Sequence, residues 1–251
     1  MVGAAWGTVI AQSGAAAAFV VLGRRAIPPP EVRIDPWAMR RIARVSRDLF
    51  LRTLSLTSAM LVTTAVAARM GTEAVAGHQV ARELWTLLTL VLDGFAIAGQ
   101  AMVGHALGRG RPDEAREAGR RLIGWGVVAG VGIGAVHLLL AGPLPLVFTR
   151  DPGVLAEIAS VWWIVAALQP IGGLVFVLDG VLMGAADYRF LLWSTAAGAF
   201  GVLVPVCLLA LALGWGLPGV WLGMVGLMVF RAVALVSRFS GEGWVHARRA
   251  R

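Results

Sequence analysis

The chain has 251 residues, of which 58% are apolar and 14% are charged, and its formal net charge is +8. This composition is far more apolar than the core of a soluble protein of this length requires, so it predicts an integral membrane protein. Because the basic residues fall in separate loops and not on one surface, the positive charge does not indicate nucleic-acid binding.

Seven apolar runs in the sequence have about 20 or more residues, enough to cross the roughly 30 Å hydrocarbon core of a bilayer as helices. We therefore expect an all-α integral membrane protein with seven transmembrane helices. The approximate limits of the runs are Val2 to Leu22, Leu49 to Ala68, Leu84 to Leu107, Leu122 to Ala141, Val154 to Met183, Phe190 to Leu213 and Leu217 to Val236.

The segment after the first run changes composition and predicts a linker. Pro28 to Pro30 favour a stiff extended spacer, and Asp35 followed by Pro36 is typical of a helix cap and first turn. We expect either a short amphipathic helix on the cytoplasmic membrane surface, ending before Leu49, or an ordinary basic loop. The first run, Val2 to Leu22, lacks the leading basic residues of a signal peptide and should stay in the membrane.

The arginines predict the orientation of the chain. All 22 basic residues are arginine, and 17 of them follow the odd-numbered runs, against 3 on the opposite side. By the positive-inside rule the C-terminus is cytoplasmic and the N-terminus lies outside. Arg52 and Arg231 lie within apolar runs near their cytoplasmic ends, where we expect their side chains to snorkel to the interface.

Several kinds of chemistry find no support in the sequence. Without lysine the chain cannot form the Schiff base of a retinal protein, and Cys207, its single cysteine, cannot form an internal disulfide or a thiolate metal site. No zinc-protease, phosphate-loop or Ser-His-Asp pattern is present, so we expect neither an enzyme nor a metal or organic cofactor.

The tetrapeptide Val-Leu-Asp-Gly occurs twice inside apolar runs, and it places Asp93 and Asp179 where an ionised carboxylate costs a few kcal/mol or more. Asp93 shares a helical face with Gln100, since seven residues make about two turns. Desolvation disfavours the charged form of such a carboxylate, which suits proton exchange in a transporter. The alternative is a structural bridge from Asp93 to Arg52 or Arg231.

The two carboxylates are expected at different depths. Asp93 lies about 12 Å below the outer end of its apolar run, whereas Asp179 lies near the cytoplasmic end of its own, shortly before Met183. A tight turn follows Asp179, which favours a structural role for it. Asp93 and Gln100 are therefore the stronger candidates for binding substrate or protons, with Asp179 secondary.

Other features have mainly structural interpretations. Pro170 and Pro205 remove helical hydrogen bonds within their runs and predict kinks or hinges. Asp151 precedes a proline and predicts a helix cap, while the glycines at every fourth position from Gly126 to Gly134 predict a close helix contact. We place His78 in the outer connection between two spans.

Three further groups of residues occur in a recognisable order. The first group is His78-Gln79, Leu84-Trp85, Leu92 to Ala98, Gln100 and Val103-Gly104. The second is Phe148-Thr149 and Asp151-Pro152 together with Phe176 to Ala185, Asp187 and Arg189-Phe190. The third is Gly219 to Gly223 with Arg231. They resemble, respectively, span 8, span 10 and the last span of the multidrug and toxic compound extrusion (MATE) transporters, in particular the branch of the DNA-damage-inducible protein F. The matches extend over most of the region from Arg47 to Arg238.

The resemblance implies a fold of twelve helices in two lobes, with a substrate cavity between the lobes and transport by alternating access. On that pattern residues 1–22 are the last helix of an N-terminal lobe and 23–48 are the inter-lobe linker. Residues 49–237 are the C-terminal six-helix lobe, and 238–251 are a basic cytoplasmic tail. We therefore expect the C-terminal portion of a transporter whose first five helices are absent from this sequence.

Two departures from the family pattern bear on coupling. The carboxylate on the first family helix, to which the resemblance assigns proton coupling, belongs to the part that this sequence lacks. The run Leu49 to Ala68 has no Asp or Glu, unlike the sodium-coupled branch, so we expect coupling to protons in preference to Na⁺.

The resemblance thus implies a multidrug antiporter of the plasma (inner) membrane that exports amphipathic or cationic compounds. Two alternatives remain: a non-transporting fragment or partner subunit that needs a separate N-terminal lobe, and a flippase for lipid-linked precursors of related architecture. A homodimer of the lobe is also allowed by symmetry. The expected partners are the lipid bilayer and small molecules.

Overall fold

The computed structural model describes the backbone of residues 2–26 and 35–245, and the side chains of residues 6–24 and 35–245. Seven helical segments within them are long and apolar enough to cross a membrane, and the described residues form no β-strand, which confirms the all-α class. The helices are α1 (Val2–Ala26), α2 (Pro36–Met70), α3 (Thr72–Gly108), α4 (Pro112–Leu139), α5 (Pro143–Leu146), α6 (Pro152–Gly184), α7 (Tyr188–Gly198), a π-helical turn (Ala199–Leu203), α8 (Val204–Ala212) and α9 (Gly216–Ser240).

The chain divides into two compact units, Met1–Ile42 and Ala43–Arg251. In the first unit, Asp35 precedes α2 and caps it: its carboxylate accepts a hydrogen bond from the backbone N–H of Trp37 at 2.9 Å. The cap predicted from Asp35 is confirmed. The predicted spacer, Pro28 to Pro30, lies outside the described residues.

Helix α2 is longer than the sequence pattern suggested. The segment expected as a separate surface helix, or as a loop, is the first part of one continuous helix and does not end before Leu49. Residues 37–70 contain neither Pro nor Gly, so nothing in them breaks a helix. Only Gly71 then separates α2 from α3, with a φ of 141° that favours glycine. Helix α3 consequently begins well before Leu84.

Helix α6 is the central helix of the second unit, and most of its length is buried. Its start is fixed by Asp151, whose carboxylate accepts hydrogen bonds from the backbone N–H groups of Gly153 at 2.9 Å and Val154 at 3.1 Å. Because such a cap satisfies amide groups that have no partner inside the helix, it defines where α6 begins. The cap predicted from Asp151 is therefore confirmed.

Helix α4 packs antiparallel to α6 through glycines. Gly126 meets the backbone of Gly173, and Gly130 meets that of Gln169. A Cβ atom at Gly130 would overlap the carbonyl group of Gln169, so the two backbones approach each other more closely than any larger residue allows. The close contact predicted from the glycine spacing is confirmed.

Helix α3 packs parallel to α6 in the same manner. Gly180 of α6 lies against the backbone of Ala96, and Gly184 lies against that of Gln100. A Cβ atom at either glycine would overlap a backbone carbonyl oxygen of α3, which makes both positions specific for glycine. These contacts fix the register between α3 and α6, and with it the relative position of the charged residues that the two helices carry.

The two prolines predicted to kink their spans occupy different settings. Pro170 lies inside α6 without ending the helix. Pro205 lies in the first turn of α8, directly after the π-helical turn, where the N–H of Val204 bonds to the carbonyl of Ala199. A π turn is a local widening of the helix, and it accommodates the break in backbone hydrogen bonding that a proline introduces. A hinge function for either proline stays a prediction.

Candidate functional site

Three charged side chains from three helices meet inside the second unit: Arg52 of α2, Asp179 of α6 and Arg231 of α9. Nη2 of Arg231 donates to Oδ1 of Asp179 at 2.6 Å and to Oδ2 at 2.5 Å, and Nη2 of Arg52 donates to Oδ2 at 2.8 Å. The exposed fractions are 2% for the Arg231 side chain, 6% for Asp179 and 16% for Arg52. We call these three residues the Arg-Asp-Arg cluster.

The cluster carries more positive than negative charge. Two guanidinium groups share one carboxylate, so its formal charge is +1. In addition, Nε of Arg52 and Nε of Arg231 are buried and have no hydrogen-bond acceptor among the described residues. Buried ions are stable only when their charge and their hydrogen-bonding groups are both satisfied. The three residues therefore carry an excess of one positive charge, which the nearby carboxylate of Asp93 offsets electrostatically at Arg52, and two unused donors.

The prediction that Arg52 and Arg231 snorkel to the membrane interface is wrong. Both side chains turn inward and donate to Asp179, because a buried carboxylate is a strong, charge-assisted partner for an arginine inside a span. The sequence did contain a signal for this arrangement. An acid and two arginines inside apolar runs, each near the same predicted membrane face, are complementary in charge and need partners.

Asp93 of α3 lies beside the cluster and is half-buried. It interacts electrostatically with Arg52 and with Asp179, but it has no hydrogen-bond partner among the described residues. The predicted bridge from Asp93 to Arg52 or Arg231 is therefore not formed, since both arginines bind Asp179 instead. The carboxylate of Asp93 therefore lies near the cluster but forms no hydrogen bond with it.

The expectation that the two Val-Leu-Asp-Gly sequences lie at different depths is wrong. Ala96 contacts Gly180, Asp93 precedes Ala96 by three residues, and Asp179 precedes Gly180 by one. In parallel helices this register separates the two aspartates by only about 3 Å along the axis. The expected depth of Asp93 was counted from the start of the apolar run at Leu84. Helix α3 begins earlier, directly after Gly71, so a count from Leu84 misplaces Asp93 along the helix.

Gln100 is not brought to the cluster. Its side chain is exposed, and it lies two turns from Asp93, or about 10 Å along α3. Its backbone is the part that contacts α6, at Gly184. The structure thus brings together Asp93, Asp179 and the two arginines, while Gln100 remains a separate candidate further along the same helix.

Two buried histidines lie elsewhere in the spans. His78 was expected in the outer connection, but it is buried in α3, with Nε2 3.3 Å from the hydroxyl of Thr63 and its ring 5.9 Å from that of Trp221. The early start of α3 explains this difference. His137 of α4 stacks on Trp162 at 4.0 Å, and the indole N–H donates to the His137 carbonyl at 3.0 Å. Both histidines pack between helices.

The helical fold and the charged cluster define a multi-pass α-helical membrane protein with an intramembrane ionic site, an arrangement typical of transporters. The MatE family model matches residues 49–209, and the chain accordingly belongs to the MatE family. Members of this family are multidrug and toxic compound efflux transporters and not enzymes.

Individual relatives agree with this assignment. The chain is 33% identical over 183 residues to Protein DETOXIFICATION 44, chloroplastic, of Arabidopsis thaliana, covering 73% of this chain and 35% of the relative. It is 34% identical over 175 residues to a probable multidrug resistance protein NorM of Rhodopseudomonas palustris, covering 66% and 36%. In fold it is similar to the crystal structure of the eukaryotic MATE transporter AtDTX14, with a TM-score of 0.76 at 19% identity, covering 87% and 50%. The chain thus spans about a third of these curated relatives and half of the solved structure.

Proposed function

We propose that the chain forms the C-terminal lobe of an antiporter that exports small compounds in exchange for a cation by alternating access. The family match begins at residue 49 and the chain spans about a third of its relatives' length, which supports a role as one part of a two-lobe transporter. On this proposal residues 1–22 end the N-terminal lobe, 23–48 link the lobes, and 49–237 form the second lobe.

The observation that carries the proposal is the position of Asp93 beside the Arg-Asp-Arg cluster. A carboxylate that interacts electrostatically with a buried arginine and a buried aspartate changes the charge of the whole site when it gains or loses a proton. Asp93 is also half-buried, so it is within reach of water or of a compound in a cavity between lobes. We assign to it the exchange of protons or the binding of a cationic group.

Coupling to protons is favoured over coupling to Na⁺. Sodium ions bind to oxygen ligands, but both carboxylate oxygens of Asp179 already accept hydrogen bonds from guanidinium groups. A sodium ion at Asp179 would also lie next to two positive charges. Asp179 therefore serves to hold the arginines, and Asp93 is the acid that remains for coupling.

The substrates we propose are amphipathic or cationic compounds that bind between the lobes, close to Asp93 and Gln100. Gln100 is exposed on α3 and can offer hydrogen bonds to a bound compound. We place the protein in the plasma membrane, with the N-terminus outside and the C-terminus cytoplasmic, on the arginine distribution of 17 against 3.

Export by paired lobes tests the proposal. The chain is co-expressed with the first five helices of a NorM relative in a bacterial host without its own drug exporters, and the efflux of ethidium is followed by fluorescence. We expect efflux only when both parts are present, and a large loss in Asp93→Asn. Glu117→Gln, which neutralises an exposed acid on α4, should not change efflux.

The outcome separates the proposal from its alternatives. An Asp93→Asn variant with unchanged efflux and unchanged pH dependence would remove the role of Asp93. Efflux by the chain alone would favour a homodimer, and absence of efflux with every N-terminal lobe tried would favour a non-transporting subunit.

A further inference from the structure

A cavity of about 450 Å³ lies in the second unit where α4 ends, α5 turns and α6 begins. Apolar side chains line it, among them Pro145, Leu146, Leu155, Ala159, Trp162 and Trp163. Of the described residues that line it, none carries a charged, hydroxyl or amide side chain. A cavity of this composition does not hold water, since a buried water molecule needs two or more polar partners. It lies roughly 24 Å along α6 from Asp179, so it is separate from the Arg-Asp-Arg cluster.

The wall of the cavity is rigid at Trp162. The indole N–H of this residue donates to the backbone carbonyl of His137 at 3.0 Å, and its ring stacks on the imidazole of His137 with the centroids 4.0 Å apart. Because a hydrogen bond and a ring contact both fix Trp162, its side chain cannot swing inward to fill the space. The cavity therefore exists before a ligand arrives, which spares the ligand the cost of opening it.

The cavity is continuous with the surface that faces lipid. Leu146 and Trp163 line it and are exposed, and so are Leu139 and Val147, which are close to lining residues in the sequence. Helices α4 and α6 are both long and apolar enough to span a membrane, so the medium outside the cavity is hydrocarbon. From Leu155 to Trp163 the cavity extends about 12 Å along α6, which fits within the roughly 15 Å of hydrocarbon in one leaflet.

We propose that this cavity is a fixed binding site for one acyl chain of a membrane phospholipid, in the leaflet that contains the start of α6. The contact with surrounding lipid brings hydrocarbon chains to the cavity, and the apolar lining excludes water and polar compounds. The volume is sufficient, because an apolar cavity of about 150 Å³ already holds a benzene molecule and this cavity is about three times as large. The site goes beyond the export proposed above and does not depend on it.

Photolabelling distinguishes a fixed acyl chain from the lipid that surrounds any membrane protein. The purified chain is placed in phosphatidylcholine nanodiscs that contain a phosphatidylcholine with a diazirine in the middle of one acyl chain, and labelled residues are identified by mass spectrometry. Val136 of α4 is the reference, since its exposure of 52% is similar to the 61% of Trp163. The contact between Gly134 and Ala166 places the two residues at nearly the same depth.

We expect at least fivefold more label at Trp162 and Trp163 than at Val136. Surface lipid alone would label Val136 and Trp163 equally, and it would leave the buried Trp162 unlabelled. That result would overturn the proposal.

Two variants fill the cavity. Gly142 lines it with an ordinary φ of −80°, and a Cβ atom there would meet no other atom within 4 Å, while Ala159 is exposed on α6. Gly142→Leu and Ala159→Phe should therefore each reduce the label at Trp162 and Trp163 at least fivefold without lowering the unfolding midpoint. Gly132→Leu makes the same exchange at an exposed, open position of α4 outside the lining, and it should leave the label unchanged. Loss of label in all three variants, or in none, would contradict the site.

Two further results would assign the cavity to another occupant. When the chain is co-expressed with the first five helices of a NorM relative, loss of the label at Trp162 and Trp163 would show that the N-terminal lobe covers the cavity. Displacement of the label by excess ethidium would show that the cavity takes up an exported compound. Either result would overturn the proposal, and we expect unchanged labelling in both experiments. Failure of ethidium efflux leaves the photolabelling intact, so the two proposals fail independently.

Discussion

Nη2 of Arg231 lies 2.6 Å from Oδ1 and 2.5 Å from Oδ2 of Asp179, so a single amino group bridges both oxygens of a buried carboxylate. This contact joins α9 to α6 in the interior of the second unit. Since Arg52 adds a third helix to the same carboxylate, Asp179 connects α2, α6 and α9 through one side chain. The stability of this helix arrangement therefore depends on Asp179.

Neutralising Asp179 should strongly destabilise the chain. Asp179→Asn keeps the size of the side chain but leaves the buried Arg231 without a counter-ion and Arg52 with only Asp93 nearby, and breaking a buried pair in this way costs about 3–5 kcal/mol. We expect a large fall in the thermal unfolding midpoint in detergent. The control is Glu117→Gln, which breaks the exposed ion pair to Arg121 and should cost about 0.3–0.5 kcal/mol. Similar midpoints for the two variants would contradict the prediction.

The two glycines of the repeated Val-Leu-Asp-Gly sequence should respond oppositely to alanine. In Gly180→Ala the new methyl group would overlap the backbone of Ala96, which cannot move without separating α3 from α6. In Gly94→Ala the methyl group meets no other atom within 4 Å, and alanine is a better helix former by about 1 kcal/mol.

We therefore expect Gly180→Ala to lower the unfolding midpoint and Gly94→Ala to leave it unchanged or raise it. The two tetrapeptides are identical and differ only in their surroundings. Measured in the same detergent, the two variants therefore isolate the effect of packing at Gly180. A comparable loss at both positions would show that close packing at Gly180 is not the cause.

The sequence predicted which segments form helices, but it did not predict how the helices are aligned against one another. Caps such as Asp151 and the glycines from Gly126 onward are local signals, and the structure confirms what they predicted. The start of α3 was missed because the apolar run begins at Leu84, whereas backbone hydrogen bonding continues back to the glycine at position 71. Hydropathy reports which residues enter the membrane and not where a helix begins.

The partner of Asp179 could not be assigned from the sequence. The positions of Arg52 and Arg231 were visible, but either could equally have paired with Asp93 or reached the membrane surface. The choice depends on the contact of Ala96 with Gly180, which sets the register of two helices that are distant in sequence. No local pattern specifies such a register, so the sequence indicates that these charges need partners but not which of them pair.

Restoring a regular helix at Pro205 should reduce export without reducing stability. In Pro205→Ala the residue gains an N–H that can bond to the carbonyl four positions earlier, which favours a regular helix over the π-helical turn. If the irregular segment bends during transport, ethidium efflux by the paired lobes should fall several-fold while the unfolding midpoint stays equal or rises. Unchanged efflux together with unchanged stability would exclude a hinge at this position.

Replacing the whole Arg-Asp-Arg cluster by apolar side chains separates its contribution to stability from its contribution to function. Buried ion clusters exchanged for apolar residues of similar volume often leave stability unchanged or raise it by about 1–4 kcal/mol, because no charge remains to be desolvated. The triple variant Arg52→Met, Asp179→Val and Arg231→Met should therefore unfold at or above the midpoint of the native chain, in contrast to Asp179→Asn. If the cluster existed only to hold three helices together, this variant would retain ethidium efflux in the paired-lobe assay. We expect efflux to be lost in it, because Asp93, to which we assign the coupling, then has no charged partner.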